Sequence, residues 1–281
     1  MRPVIVMSAI IAIIAGAGRF PFHVAEEARR QGTRVVAFGI EGWVDPALAS
    51  SVDAFEPLAI GQLGRLIERL KFHKIQHAIM AGKVTKKALF GDHLNFDLET
   101  LSLLARARDM SVNGVLGAIG ARLAREQITL LDSSTFLKSN LCPVGPLTTR
   151  GPTPLEQDDV RFGIQVARQC AAWDIGQTVV VKRGVIVAVE ALEGTDAAIQ
   201  RAYTVAGGDL VVVKMASPSQ DRRFDLPIIG PQTIATLTKS QVSCLAVEAG
   251  TTLLLDREVL VTAANASHLC LIGVEPPSAH G

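Results

Sequence analysis

Aromatic residues are scarce: they make up 5% of the 281 residues, with one Tyr and two Trp. A core with so few rings must be built from Val, Ile, Leu and Ala, which suits a buried parallel sheet covered by helices. A surplus of charge is also missing, since 28 Lys and Arg stand against 27 Asp and Glu for a net +1. That balance argues against a nucleic-acid binder, which needs a basic surplus on one face, and against an acidic disordered tail. Only four cysteines occur, Cys142, Cys170, Cys244 and Cys270, and no two have CxxC spacing. A zinc ribbon and a redox pair are excluded, and buried thiols are expected. His73 and His77 stand four apart, but Lys71 to Gln76 reads as a helix end followed by a turn, so no metal pair is expected there. Long apolar runs are absent as well. The charge-free stretch from Pro3 to Gly18 is 16 residues long, short of the ~18–20 that a spanning helix needs. With Arg2 ahead of it, it has the look of a secretory leader, but it flows directly into a Gly turn and an amphipathic helix. A buried first strand and a cytoplasmic protein are the expectation.

What is present is a chain that is 48% hydrophobic with a mean hydropathy of +0.31, enough for one large core or two ordinary ones. Ile10–Ala15 reads as a strand, followed by a turn at Gly16-Ala17-Gly18 and a helix from Pro21 to about Gln31, with Gly32 behind it. Val35–Gly39 is a second strand, Ile60–Lys71 an amphipathic helix, and Ala78–Ala81 a third strand. Helices over Asp97–Arg108 and Val112–Glu126 precede a strand at Ile128–Leu131. Strands alternating with helices predict βαβ units and a mainly parallel, Rossmann-like sheet in a domain spanning 1–140. Ser139–Pro154 holds four of the 13 prolines and reads as an interdomain linker. A second α/β domain is expected over 152–275. It starts with a capping box at Thr153 and Glu156 and continues with a hairpin across Thr178–Val189 and a helix at Thr195–Val205 capped by Thr195. A strand at Leu210–Lys214 follows, with further helices and strands to Val274. The fold class is therefore α/β, two α/β domains joined by a Pro/Gly-rich linker.

Four places carry residues suited to chemistry. Ile14–Gly18 is a Gly turn between strand and helix, where backbone amides and a helix N-terminus can meet a phosphate. It lacks the third Gly of GxGxxG, and no acid ends the second strand at Phe38–Ile40, so a dinucleotide oxidoreductase is discounted. Gly82-Lys83 follows another strand, where open parallel sheets bind ligands. Glu190, Glu193 and Asp196 fall within seven residues at a strand-to-helix junction, a spacing that suits a divalent cation; Thr195 and Asp196 alone would be ordinary helix-start residues. Lys214–Pro231 is too long and too charged for a simple turn, and Asp225 sits in it between Phe224 and Leu226-Pro227, surroundings that can tune its basicity.

Read in order, the motifs are Ile14–Pro21, Ala81–Val84, Asp174–Gln177, Val189–Asp196, Gln220–Pro231 and Val247–Glu258. Together they resemble the UDP-2,3-diacylglucosamine pyrophosphatases of the lipid A pathway, in the version built from two α/β domains rather than the metallophosphoesterase version. The resemblance runs from Ile10 to Val274. It implies Mg²⁺-dependent hydrolysis of UDP-2,3-diacylglucosamine to 2,3-diacylglucosamine 1-phosphate (lipid X) and UMP, with substrate held between the domains. It further implies substrate contacts at Gly16, Gly18, Gly82, Lys83, Gln177, Thr195, Lys214, Gln220 and Arg223. Asp225 would be catalytic, with Asp225, Asp196 and Glu193 as metal ligands. The partners implied are a UDP-linked diacylated glucosamine lipid drawn from the inner membrane surface, where the protein would be peripheral, and a second copy in a homodimer; nucleic acid is not expected. Two positions depart from the family pattern. Ser111-Val112-Asn113 stands where an acidic Gly-Asp-Asp is usual, and Ser217 where a Lys is usual. The alternative they leave open is a catalytically impaired member that binds nucleotide-linked lipid without turnover.

Overall fold

The charge-free run does form a strand, β1 (Ile10–Ala15), whose Ile11, Ala12, Ile13 and Ala15 are buried. In the computed structural model, residues 10–84, 96–106, 112–217, 221–224 and 226–275 are described. They divide into two units: unit 1 takes its residues from Met1–Leu137 and Asp221–Asp225, and unit 2 from Lys138–Gln220 and Leu226–Gly281.

Unit 1 continues with α1 (Phe20–Arg30), β2 (Arg34–Ile40), β3 (Ala54–Leu58), α2 (Leu63–Phe72), β4 (His77–Ala81), α3 (Leu98–Arg106), α4 (Val112–Arg125) and β5 (Thr129–Leu130). The strands form one parallel sheet in the order β3-β2-β1-β4-β5. Pro21 starts α1, as its fixed φ allows, and Phe20, Phe22, Val24, Ala25 and Ala28 turn inward. α2 buries Leu63, Leu66, Ile67 and Leu70 at helical spacing. β3 is a strand that the sequence pattern does not announce, because Glu56 and Pro57 sit in it. Among the described residues it is an edge strand paired only with β2, where the N–H that Pro57 lacks is not missed. Glu56 ties this edge to α2, taking two hydrogen bonds from Arg69 at 2.7 Å and approaching His73 Nε2 at 2.5 Å.

Unit 2 holds β6 (Gly145–Pro146), α5 (Pro154–Ala172), β7 (Thr178–Lys182), β8 (Val185–Val189), α6 (Thr195–Ala206), β9 (Leu210–Lys214), β10 (Ile228–Ile229), α7 (Pro231–Lys239), β11 (Val242–Glu248), β12 (Leu253–Leu254), α8 (Arg257–Ala266) and β13 (Cys270–Val274). Its main sheet runs β6-β13-β11-β9-β7-β8. β13, β11 and β9 are parallel, and β7 is antiparallel to both neighbours. The hairpin turns at Arg183 (φ +49°) and Gly184 (φ +74°), the left-handed pair that a two-residue loop demands. Asp159 on α5 accepts both turn amides at 2.8 and 2.6 Å.

Two expectations need correction. Ser139–Pro154 is not a free linker: it packs on unit 2. The Cys142 amide bonds Thr252 O at 2.8 Å, and Arg150 bonds Glu156, Ser243 O and His268 O. Its prolines instead suit an edge strand and a helix start. Thr195 does not cap α6 either. The cap is Gly194 at φ +85°, and the Thr195 hydroxyl is engaged elsewhere.

Candidate functional site

In unit 1 the chain steps outward from β1 to β2 and β3, then returns to the other side of β1 for β4. The β1/β4 crevice is thus the switch point, where sheets of this kind take ligands beyond the carboxyl ends of the strands. Gly16, Gly18, Gly82 and Lys83 all fall there. The glycines answer to backbone packing first. A Cβ on Gly16 would stand 2.7 Å from Lys83 O, and one on Gly82 2.7 Å from Gly16 C. This closeness lets Ala17 and Lys83 exchange two backbone hydrogen bonds of 2.9 Å, while the Gly16 amide bonds Ala81 O at 2.8 Å. The Ala17 and Lys83 amides are therefore spent within the protein. Gly18 (φ +95°) has open space around its Cα and is exposed, as is the Lys83 side chain.

The segment 221–224 belongs to unit 1, although it follows β9 in sequence and was expected within the C-terminal domain. Buried Ser133 holds it: its amide donates to Arg222 O at 2.9 Å, and its Oγ lies 2.7 Å from Arg223 O and 2.9 Å from Met80 O. Arg222 pairs with Asp132 at 2.9 Å. Arg223, expected at the substrate, is bound through Nε to both Asp221 oxygens at 2.9 and 3.0 Å. That guanidinium holds the Asp221 carboxyl below its usual range. Gln220 and Asp225 lie outside the described residues.

In unit 2, three expected residues come together where β7 begins and β9 ends. Thr178 faces Lys214 in register, and Met215 N bonds Gln177 O at 2.9 Å. Lys214 Nζ donates to Thr195 Oγ1 at 3.0 Å and approaches Thr178 Oγ1 at 3.4 Å. Thr195 Oγ1 in turn lies 2.8 Å from Glu190 Oε1. An ammonium only donates and an ionised carboxylate only accepts, so the Thr195 proton points at Glu190 and a lone pair at Lys214. Glu190 Oε2 is buried with no hydrogen-bond partner among the described residues, 3.9 Å from Lys214 Nζ. Gly176 makes this placement attainable, because a Cβ there would stand 2.1 Å from Glu190 O.

Glu193 and Asp196 do not join the cluster in the way their spacing suggested. Glu193 accepts from Arg201 at 2.7 Å and from the Ala191 amide at 3.1 Å, and the Arg201 guanidinium lowers its carboxyl below the usual range. Asp196 is exposed on the first turn of α6. Among the described residues no three His, Cys, Asp or Glu side chains gather as a metal site would require. Ser217 donates to Ala171 O at 3.1 Å. The side chains of Val112 and Asn113, and Ser111 as a whole, lie outside the described residues. Glu190, expected from its spacing to be a cation ligand and given no role by the family resemblance, instead joins Thr195 and Lys214 in the unit 2 cluster. Its signal was its spare carboxylate, which the helix-start reading of Thr195 and Asp196 does not use.

These features define a two-domain α/β protein, with one doubly wound parallel sheet and one mixed sheet whose strand ends carry a half-buried Lys–Thr–Glu network. Residues 10–140 match the LpxI N-terminal domain and residues 143–272 the LpxI C-terminal domain, and the chain belongs to the LpxI family. It is 28% identical over 278 residues to the UDP-2,3-diacylglucosamine pyrophosphatase LpxI of Caulobacter vibrioides, covering 95% of this chain and 98% of that protein. Similarity to solved structures is slight. A CobK precorrin-6A reductase gives a TM-score of 0.32 at 12% identity, over 97% of this chain and 90% of the other. A biotin carboxylase from Campylobacter jejuni gives 0.27 at 13%, over 70% and 42%. Scores of this size carry no argument about function.

Proposed function

We propose that the protein hydrolyses the diphosphate of UDP-2,3-diacylglucosamine to UMP and 2,3-diacylglucosamine 1-phosphate, a step of lipid A biosynthesis. The observation that supports this most is the identity to the Caulobacter pyrophosphatase, which runs through both domains without a large gap in coverage. Water adds to one phosphorus, the bridging P–O bond breaks, and the bridging oxygen leaves on the other phosphate. Positive charge must meet the growing charge on the phosphate oxygens, and Lys83 and Lys214 are the side chains assigned to that. Gly16, Gly18 and Gly82 shape the strand ends in unit 1, and Gln177 and Thr195 set those in unit 2. Gln220 and Arg223 precede Asp225 in sequence, and the Asp225 carboxylate would orient the attacking water.

Mg²⁺ belongs to the proposal on the charge of the diphosphate, not on a gathered ligand set. A bound divalent cation would neutralise phosphate oxygens. Glu193 is engaged by Arg201, so of the expected ligands Asp196 and Asp225 are left to serve. The substrate is a membrane lipid, so the protein would work at the cytoplasmic face of the inner membrane as a peripheral protein. Among the described residues no helix is long and apolar enough to cross a membrane.

Incubation with UDP-2,3-diacylglucosamine and Mg²⁺ should release UMP, and EDTA should stop it. Lipid binding without UMP would favour the impaired-member reading, for which Ser217 in place of a family Lys is the specific observation. Unchanged turnover in excess EDTA would remove the cation from the proposal.

A further inference from the structure

We propose that Glu190 is a positioning residue that acts on the substrate through Lys214. The inference rests on the reading above that Lys214 meets the substrate's phosphates. Four observations carry it. Glu190 is fixed by its own backbone: its amide donates to Thr178 O at 2.8 Å, and its carbonyl lies against Gly176, where no side chain fits. Its Oε1 takes the only proton of Thr195, which turns the Thr195 lone pair toward Lys214 Nζ at 3.0 Å. Its Oε2 is buried without a hydrogen-bond donor among the described residues and lies 3.9 Å from the same ammonium. Both side chains are largely shielded, 11% exposed for Lys214 and 14% for Glu190, so solvent screens their attraction little.

An extended Lys side chain has four rotatable bonds and no preferred direction of its own. Here the Thr195 and Thr178 hydroxyls and the Glu190 carboxylate stand around its head. Because the Thr195 proton is spent on Glu190, Thr195 cannot donate to a phosphate while Glu190 is ionised. The charge offered to a ligand is that of Lys214, and Glu190 sets where it stands. Glu193, three residues on, has no such role because Arg201 holds it.

The test is a double-mutant cycle on the full-length protein, reading kcat and KM for UMP release. Glu190→Gln keeps the size and an acceptor for Thr195 and removes the charge that faces Lys214. Displacing a reacting or binding group by a fraction of its length costs roughly 10- to 100-fold, so kcat/KM should fall by about that much. Lys214→Met should fall at least as far. In the Lys214→Met background, Glu190→Gln should cost less than about twofold, since a residue that acts through another is non-additive with it. Both single variants should divide their loss between kcat and KM in the same proportion. Glu190→Asp, which keeps the charge, should recover part of the loss, and it carries the cycle if Glu190→Gln does not fold. Additive losses, or a Glu190→Gln variant as active as the parent, would overturn the inference and leave the Lys214 reading standing. A Lys214→Met variant of full activity would overturn both.

Discussion

The carboxyl ends of the two main sheets are finished in opposite ways. In unit 1 the ends of β1 and β4 are closed by backbone: Gly16 and Gly82 let two loops touch, and Ala17 and Lys83 exchange hydrogen bonds. In unit 2 the meeting of β7 and β9 is finished by side chains, with Lys214, Thr195, Thr178 and Glu190 in one network. Glycine at a strand end therefore has two meanings. Gly16 and Gly176 are glycines because a neighbour's backbone occupies the place of the Cβ, and Gly82, at φ +96°, for that reason and for its backbone conformation as well. Gly18 is a glycine because its φ of +95° disfavours any other residue. Only the second kind leaves open space for a ligand. The two side chains proposed to meet the phosphates differ in the same way: Lys83 is exposed and Lys214 shielded.

The largest expected effect lies at Asp225, which follows in sequence the segment that Ser133 holds. Asp225→Asn should cut turnover by ~10²–10⁴ with substrate affinity far less changed, the range for loss of a general base. Asp221→Asn is the control, because Asp221 is already neutralised by Arg223; equal losses in the two would remove any special role for Asp225. Next come the glycines. Gly176→Ala places a methyl on Glu190 O and should destabilise unit 2 by about 3 kcal/mol, and Gly16→Ala should cost unit 1 about 2 kcal/mol, both overpacking against backbone. Gly18→Ala meets no atom and should cost only the left-handed strain of about 1 kcal/mol. Denaturant midpoints at fixed slope measure all three. A Gly18 variant as unstable as the Gly16 one would erase the distinction between the two kinds of glycine.

Acid should test each unit through one carboxylate. Glu56 in unit 1 is held at about 2, below its ordinary 4.5, chiefly by Arg69. Glu156 in unit 2 also stands at about 2: burial works to raise it, but Arg150 and the Thr153 amide outweigh that. A carboxyl lowered by folding stabilises the folded state above its unfolded pKa, and that stability is lost as pH falls toward the folded one. Both contributions should thus be complete above about pH 4.5 and vanish toward pH 2. Glu56→Gln and Glu156→Gln should each flatten the fall in unfolding midpoint between those limits, measured as midpoint against pH. A curve as steep as the parent's in either variant would mean the ion pair contributes nothing in that unit.

Much of this arrangement was legible in the sequence, and the rest was hidden for physical reasons. Alternating apolar runs gave β1, β2, β4 and the helices between them, because parallel strands buried on both faces are continuous apolar blocks. β3 was hidden by Glu56 and Pro57, which only an edge strand tolerates. The docking of 221–224 on unit 1 was hidden because it depends on Ser133, about ninety residues away, and nothing local marks that partner. Cys244 and Cys270 were rightly expected to be buried thiols, yet their facing register on β11 and β13 has no sequence signal. In the strand-end cluster, Gln177, Thr195 and Lys214 were found through motifs. Glu190 was read only as one of three acids suited to a cation, because its partner Lys214 lies 24 residues further along.

Glu193 gives the smallest effect and the sharpest contrast with Glu190. The two acids are three residues apart and look alike in the sequence. Glu190 is shielded and shares its network with Lys214; Glu193 is exposed and its carboxylate is taken by Arg201 and by the Ala191 amide. An exposed ion pair contributes little to stability, and many contribute nothing measurable. Glu193→Gln should therefore leave the melting temperature unchanged and alter kcat/KM by less than about twofold, the scale of such a pair. Its dependence on Mg²⁺ concentration should match the parent's. If Glu193 instead bound the cation, Gln would lower the affinity for Mg²⁺, and the concentration needed for half-maximal activity would rise while saturating activity recovered. A rise of that kind in Glu193→Gln, with Arg201→Ala leaving Mg²⁺ dependence untouched, would place Glu193 on the metal and break the division between the two acids.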